Sequence, residues 1–240
     1  MNEIMKNLIY VPLYNILIFF FAFAKDMGVA VILLTLLVRV LLIKQSTKAE
    51  KSRLALQKLQ PEVDKIREKY KDDKERQTKE MLSLYKQKGI SPFSSCLPTL
   101  FQLPFLIGLF VVFKSGLKSG FPLYGPIKSL LNGTVINTTA FGFLDLTINP
   151  NVGYLIILPI IAAVTQFVQS KMMISKNASP EQVSMNTMML IFPVLTFFFT
   201  LTLPSALSIY WVVTTLFAIT QQYFIDKQIN KESQIKSPQS

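Results

Sequence analysis

Met27 to Lys44 reads MGVAVILLTLLVRVLLIK, an apolar run with one arginine, Arg39, and no acidic residue. Taken as a helix rising about 1.5 Å per residue, Met27 to Ile43 only just spans a thin hydrocarbon layer. Arg39 stands four residues, or about 6 Å of rise, from the end of that run. A guanidinium at such a depth costs roughly 2.5 to 3.5 kcal/mol even after relaxation, so it should face protein or water and not lipid. One alternative is that Arg39 snorkels back to the headgroups beyond Lys44. Helical side chains lean toward their own N-terminus, however, and the charge distribution below places that N-terminus outside, so Arg39 leans toward the membrane middle. Thr35 lies one turn earlier on the same face. The expectation is a wet polar pocket open to the cytoplasm.

The rest of the composition agrees with a membrane protein. Half of the 240 residues are hydrophobic, 19 are Phe and the mean hydropathy is +0.39, which excludes an ordinary soluble domain. The net charge of +11 does not point to a specific nucleic acid, because the cationic residues mostly fall between the apolar runs. His is absent and Cys96 is the single cysteine. That rules out a disulfide within the chain, a Cys/His metal site and a His-based triad.

Residues 1 to 26 form an N-terminal segment whose apolar run, 8 to 24, is interrupted by Pro12, Tyr14 and Asn15. A helix lying in the outer interface, a membrane span, and a signal-like segment with Ala22-Phe23-Ala24 at its end all fit this pattern. Residues 44 to 95 carry 14 of the 25 basic and 8 of the 14 acidic residues. Leu54, Leu56, Leu59, Val63, Ile66 and Tyr70, and then Met81, Leu82, Leu84 and Tyr85, follow helical spacing on either side of Lys71-Asp72-Asp73. A helical hairpin over 46 to 90 is expected, with Pro61 breaking or restarting its first arm and Gly89 with Pro92 closing the second. It reads either as a docking arm or as a solvated spacer.

Four further apolar runs follow at 97 to 113, 153 to 170, 185 to 203 and 205 to 225. The connections 44 to 95, 171 to 184 and the tail after Ile225 hold 19 Lys and Arg, against 5 before Met27 and in 114 to 152. By the positive-inside rule the hairpin and the C-terminus, including the short tail 226 to 240, are cytoplasmic and the start of the Arg39 helix is outside. The fold class is therefore an all-α integral membrane protein with a transmembrane core over 27 to 225. Its five spans lie at 27 to 43, 97 to 113, 153 to 170, 185 to 203 and 205 to 225, with a sixth if residues 8 to 24 cross. Residues 114 to 152, rich in Gly and Pro, read as an irregular outer loop.

The spans also carry polar stripes: Thr99 and Gln102; Thr165, Gln166 and Gln169; Thr196 and Thr200; Ser208, Trp211, Thr215 and Gln222. Interhelical hydrogen bonds worth about 0.6 kcal/mol each account for any single one of them. They do not account for an arginine with no carboxylate in any span, which water, amides or an incoming acidic group must solvate.

The order of these pieces, LLTLLVRVLLIKQSTKA, then QPEVDKIREKYKDDKER, SPFSSCLPTLFQLPFLIGLF, LPIIAAVTQFVQSKM and LPSALSIYWVVTTLFAITQQ, resembles the YidC/Oxa/Alb family of membrane-protein insertases. The resemblance runs from about Tyr10 to Phe224. It implies an outer interfacial helix, a five-helix core, a cytoplasmic hairpin and a hydrophilic groove closed outside and open to the cytoplasm and lipid. By position, Arg39 resembles the groove arginine, and Gln102 and Trp211 its polar companions; Thr35, Gln166, Gln169, Ser208 and Thr215 are the further candidate lining residues. The implied protein sits in a bacterial cell membrane and is not an enzyme. It needs no cofactor or metal, and its partners are nascent membrane proteins and the bilayer, with the ribosome and the Sec translocon as further candidates. A small-anion transporter using Arg39 is the rival reading, though no inverted pair of broken half-helices accompanies it.

Overall fold

The computed structural model describes residues 3–91, 97–117, 120–151, 153–174 and 180–235, without the side chains of 97–101, 116, 180–186, 188, 230 and 232–235. Cys96 and Pro92 lie outside the described residues, as does the side chain of Thr99. The chain forms two compact units. The first holds Met1–Leu41, Phe101–Ile174 and Thr187–Ile219, and the second holds Leu42–Leu100, Ser175–Asn186 and Thr220–Ser240.

The first unit opens with helix α1, Glu3–Ala24, and α2, Met27–Leu41. The break between them has a local cause. Lys25 takes a left-handed conformation and donates its N–H to the Phe21 carbonyl, and the Asp26 carboxylate accepts the Val29 N–H at 2.9 Å, capping α2. Leu17, Ile18 and Phe21 of α1 pack with Ala30, Val31 and Leu34 of α2 in one buried cluster. Helix α5, Leu97–Val111, approaches α1 at Gly108, where an added Cβ would stand 2.8 Å from Leu13. Close approach of this kind matters because lipid supplies no hydrophobic force to press helices together. Helix α7, Ile157–Met173, follows a tight turn at Gly153–Ile156. Then come α8, Pro180–Leu201, which belongs to this unit from Thr187, and α9, Ser205–Ile235, which belongs to it as far as Ile219.

Within the segment expected as an irregular loop, residues 120–151 hold regular elements. It contains a helix, α6 (Gly125–Leu131), and a two-stranded antiparallel pair, β1 (Thr139–Ala140) and β2 (Leu144–Asp145). It is tied to three helices by polar groups that its Gly and Pro content does not announce. Buried Asn15 of α1 donates to the Pro122 carbonyl at 3.0 Å and accepts the Tyr124 N–H at 2.8 Å. Asp26 also accepts the Phe141 N–H, and Ala140 lies so close to Gly28 that a Cβ there would meet it at 2.5 Å. At the start of α9, the Ser205 N–H and hydroxyl both donate to the Ile148 carbonyl, and the Ala206 N–H donates to Leu146.

In the second unit, α3 (Ile43–Lys69) and α4 (Lys74–Gln87) fold back on each other across the turn at Tyr70 to Asp73. The Asp73 carboxylate caps α4 by accepting the Arg76 N–H at 2.9 Å. Gln77 donates to the Arg67 carbonyl and Lys88 bridges to Glu62. Contrary to the expectation from sequence, Pro61 neither breaks nor restarts the first arm; α3 runs through it uninterrupted. The break falls instead at Leu42 (φ −92°, ψ 3°), where the apolar run gives way to Lys44 and its charged successors. Gln221 fastens this root of α3 by donating to the hydroxyls of Ser46 (2.9 Å) and Thr47 (2.8 Å). Nearby, desolvation pushes the Asp226 carboxyl above the usual carboxylate range, with Glu50 adding to the rise and Arg53 opposing it.

Among the described residues, two helices are long and apolar enough to cross a membrane on their own, Glu3–Ala24 and Gly153–Met173, or three if the pair broken at Leu42 counts as one. Gln102–Ser115 and Met189–Leu201 are shorter apolar helices. The protein is mostly helical and built for the bilayer.

Replacing Asn15 with Leu keeps the branched heavy-atom skeleton but removes the partners of the Pro122 carbonyl and the Tyr124 N–H. Leaving buried groups unpaired costs about 1–3 kcal/mol. Asn15→Leu should therefore lower the melting temperature of the detergent-solubilised protein by several degrees; an unchanged midpoint would show that the tie carries no stability.

Candidate functional site

Several of the sequence-predicted residues converge on the part of α9 that belongs to the first unit. The α9 residues Tyr210, Trp211, Thr214, Thr215 and Phe217 recur at spacings of three and four, the arrangement that puts side chains on neighbouring parts of a helical surface. Three partners from three other helices meet them.

From the last turn of α2, Arg39 sends Nη2 to the Thr214 carbonyl at 3.0 Å and sets its guanidinium 6.0 Å from the centre of the Phe217 ring. Its Nε is buried with no protein partner. No carboxylate comes within ion-pair distance of Arg39 among the described residues. A guanidinium has five N–H donors, and a bond to one backbone carbonyl leaves this one with most of its capacity unspent. The position also has a favourable local term, since a cation at a helix C-terminus complements the carbonyl end of the dipole.

From α5, the Gln102 amide donates to the Tyr210 hydroxyl, whose residue is buried. From α7, the Gln166 carbonyl oxygen accepts the Trp211 indole N–H at 3.1 Å and, more weakly, the Thr215 hydroxyl at 3.5 Å. The Trp211 ring also meets Phe199 of α8 edge-on, with centroids 6.1 Å apart. Gln169, one turn beyond Gln166, is half-buried and joins no bond of this set.

The remaining hydroxyls separate into two groups. Thr35, Thr165 and Thr200 each donate to a carbonyl four residues back in their own helix, at 2.7, 2.9 and 2.8 Å, which is local back-bonding and not contact between helices. Thr35 nevertheless lines a cavity of about 10 Å³ with Leu13, Leu34, Val38, Phe105, Leu109 and Tyr210, roughly the room for one water. The hydroxyls of Ser208, Thr196 and Thr214, by contrast, are buried without a protein partner. Buried polar groups are ordinarily satisfied by protein or by ordered water.

Sequence reasoning missed Tyr210 and Phe217. The run IYWVV held the signal for Tyr210: a phenol in the middle of a span must find a partner for its hydroxyl. The set as a whole offers a fixed positive charge with unspent donors, amide and indole groups beside it, and no nucleophile held by a base. Among the described residues no three His, Cys, Asp or Glu side chains come together to hold a metal.

Comparison with known proteins places the chain. It is 31% identical over 224 residues to a Fusobacterium nucleatum protein named membrane protein insertase YidC, covering 90% of this chain and 98% of that one. Proteins of the same name from Syntrophobacter fumaroxidans and Rickettsia felis are each 32% identical, again over 90% of this chain, but over only 37% and 38% of their own length. The chain thus spans nearly all of the first relative and well under half of the other two. The sequence model of the 60Kd inner membrane protein family matches residues 19–232. On that match, and on a relative covered almost end to end, the chain belongs to the 60Kd inner membrane protein family.

Proposed function

We propose that this chain is a membrane-protein insertase of the bacterial inner membrane, which inserts its clients and helps them fold without ATP or any other cofactor. Membrane proteins are its substrates and the bilayer is its second partner. Within that activity, the residues gathered on α9 line a groove that is open to the cytoplasm and to lipid and closed outside. Five spans carry the groove, with the start of α2 outside and the C-terminus in the cytoplasm, following the bias of Lys and Arg between the apolar runs. The ribosome and the Sec translocon are candidate partners that deliver clients to it.

The observation that carries this reading is the state of Arg39. It sits inside an apolar helix, pairs with no described carboxylate and leaves Nε without a partner. Ser208 and Thr214 on α9 and Thr196 on α8 are likewise buried with unmet hydroxyls. Such a set is costly when dry and inexpensive when hydrated. Once hydrated, it draws the acidic, hydrophilic flank of a client part of the way across, while the client's apolar segment leaves sideways into lipid. The transporter alternative is not favoured. The relatives compared above are all named membrane protein insertase.

The charge of Arg39 should therefore matter more than its shape. At about 6 Å and an effective dielectric of about 20, one carboxylate gains about 2–3 kcal/mol from it. With a client carrying acidic residues in its translocated tail, Arg39→Ala should slow insertion by roughly tenfold or more, whereas Arg39→Lys should retain most of the rate. Neutralising the tail acids stepwise should erase the difference. Equal loss with every tail, accompanied by a lowered melting temperature, would make Arg39 a packing residue.

The α3–α4 pair is assigned the docking role. Deleting residues 50 to 86 leaves Ser46, Thr47 and Gln221 in place, so it should reduce insertion in proteoliposomes while the solubilised protein keeps its helical content and monodispersity. Parallel loss of folded protein and activity would show that these helices are structural.

A further inference from the structure

The turn between β1 and β2 makes a choice that local turn chemistry does not explain. Its two central residues, Phe141 and Gly142, have φ of +54° and +79°, a pattern that favours Asn-Gly or Gly-Gly. A bulky aromatic residue in the left-handed region is a genuine outlier, and an outlier of this kind invites a functional explanation. Phe141 is held there by the Asp26 carboxylate on its N–H. The ring so placed is not spent on the core: Phe141 is 50% exposed, and Phe143 and Tyr154 are each 61% exposed.

Two of these rings meet, and Phe141 stands two residues from Phe143 in the same turn. The Tyr154 hydroxyl donates to the Phe143 carbonyl at 2.7 Å, and the two rings lie 6.2 Å apart. Tyr154 is the second residue of the turn that leads into α7, whose outward side is an apolar surface of Ile157, Ile160, Ile161, Val164 and Val168, all exposed. In a bilayer protein that surface faces lipid. The aromatic patch continues it beyond the end at which α7 begins, where α2 and α9 also begin and are tied to the same segment through Asp26 and Ser205. Aromatic rings at the end of a lipid-facing surface match the chemistry of the headgroup boundary, which accepts a ring on one side and a hydroxyl on the other.

We infer that Phe141, Phe143 and Tyr154 form an anchor that enters the headgroup and upper acyl region of the bilayer, so that lipid holds the β1–β2 segment from one side while Asp26 and Ser205 hold it from the other. That the leaflet is the outer one rests on the orientation proposed above; the contact with lipid does not. Lipid is favoured over a protein occupant because the patch continues the α7 surface.

The test uses the full chain with Cys96→Ser, nitroxide-labelled at Phe143→Cys, Phe141→Cys or, as a water-facing control on α6, Lys128→Cys. The labelled proteins are reconstituted in phosphatidylethanolamine and phosphatidylglycerol vesicles. Collision with oxygen should exceed collision with a water-soluble nickel chelate several-fold at Phe143 and Phe141, and the ratio should reverse at Lys128. A nickel-dominated label at Phe143 would overturn the anchor by showing a patch in water. So would a label reached by neither reagent, which would mean that a second copy or another protein covers the patch. If Phe141→Cys fails to fold because it disturbs the turn, the Phe143 label alone decides. Leaflet is read separately, by bleaching the Lys128 label with impermeant ascorbate in vesicles of known sidedness, so an error in orientation is not mistaken for failure of the anchor.

Discussion

A guanidinium inside an apolar helix has to be solvated by something, and nearly every distinctive feature of the first unit follows from how this one is solvated. Arg39 is given one backbone carbonyl and one aromatic face. Carboxylate pairing, the ordinary remedy for a buried cation, is not used among the described residues. The electrostatic field of the charge is therefore not cancelled locally and remains available to a third party. Had an Asp occupied the place of Thr214, the same helices could have packed, and the charge would have been neutralised.

Helix α9 is the wall on which this works. It contributes the Thr214 carbonyl to Arg39, the Tyr210 hydroxyl to Gln102, and the Trp211 and Thr215 side chains to Gln166, so α2, α5 and α7 each make a polar contact with it. Its first residues are fixed by Ser205 and Ala206 to the 146–148 bend that follows β2. A helix held at one end by backbone bonds and along its length by side-chain bonds is a rigid support, and sites built on rigid elements keep their geometry. The ordered 120–151 segment thus does more than connect two spans. Through Asn15, Asp26 and Ser205 it fastens α1, α2 and α9 at one end of the first unit.

Much of this was legible in the sequence, for physical reasons. Arg39 stood out because charge in an apolar run is rare and costly, and Gln102, Gln166 and Trp211 because their spacing placed each on a helical stripe. The helix turn at Lys71-Asp72-Asp73 was visible in its polar cluster, though not the cap that Asp73 supplies. Other features were not legible. Whether a threonine hydroxyl bonds across helices or back to its own carbonyl depends on neighbours, so Thr35, Thr165 and Thr200 could not be separated in advance from Thr215. Gly and Pro content signalled an irregular loop at 114 to 152, yet the ties that order it come from Asn15, Asp26 and Ser205, more than fifty residues away in the chain. Pro61 looked like a helix breaker, but the continuous arm around it runs past the proline; Leu42, with no breaker residue at all, marks the real interruption.

The claim on which the account rests is that the α9 face beside Arg39 is hydrated from the cytoplasmic side. The most direct measurement is the reactivity of a cysteine placed at Gln102, in a Cys96→Ser background, toward a membrane-impermeant thiol reagent added to that side of sealed vesicles. The account predicts labelling in the native membrane at a rate well above that of a cysteine at Ile160 on the lipid-facing side of α7. Labelling of the Gln102 position only after denaturation in detergent would mean a dry pocket and contradict it.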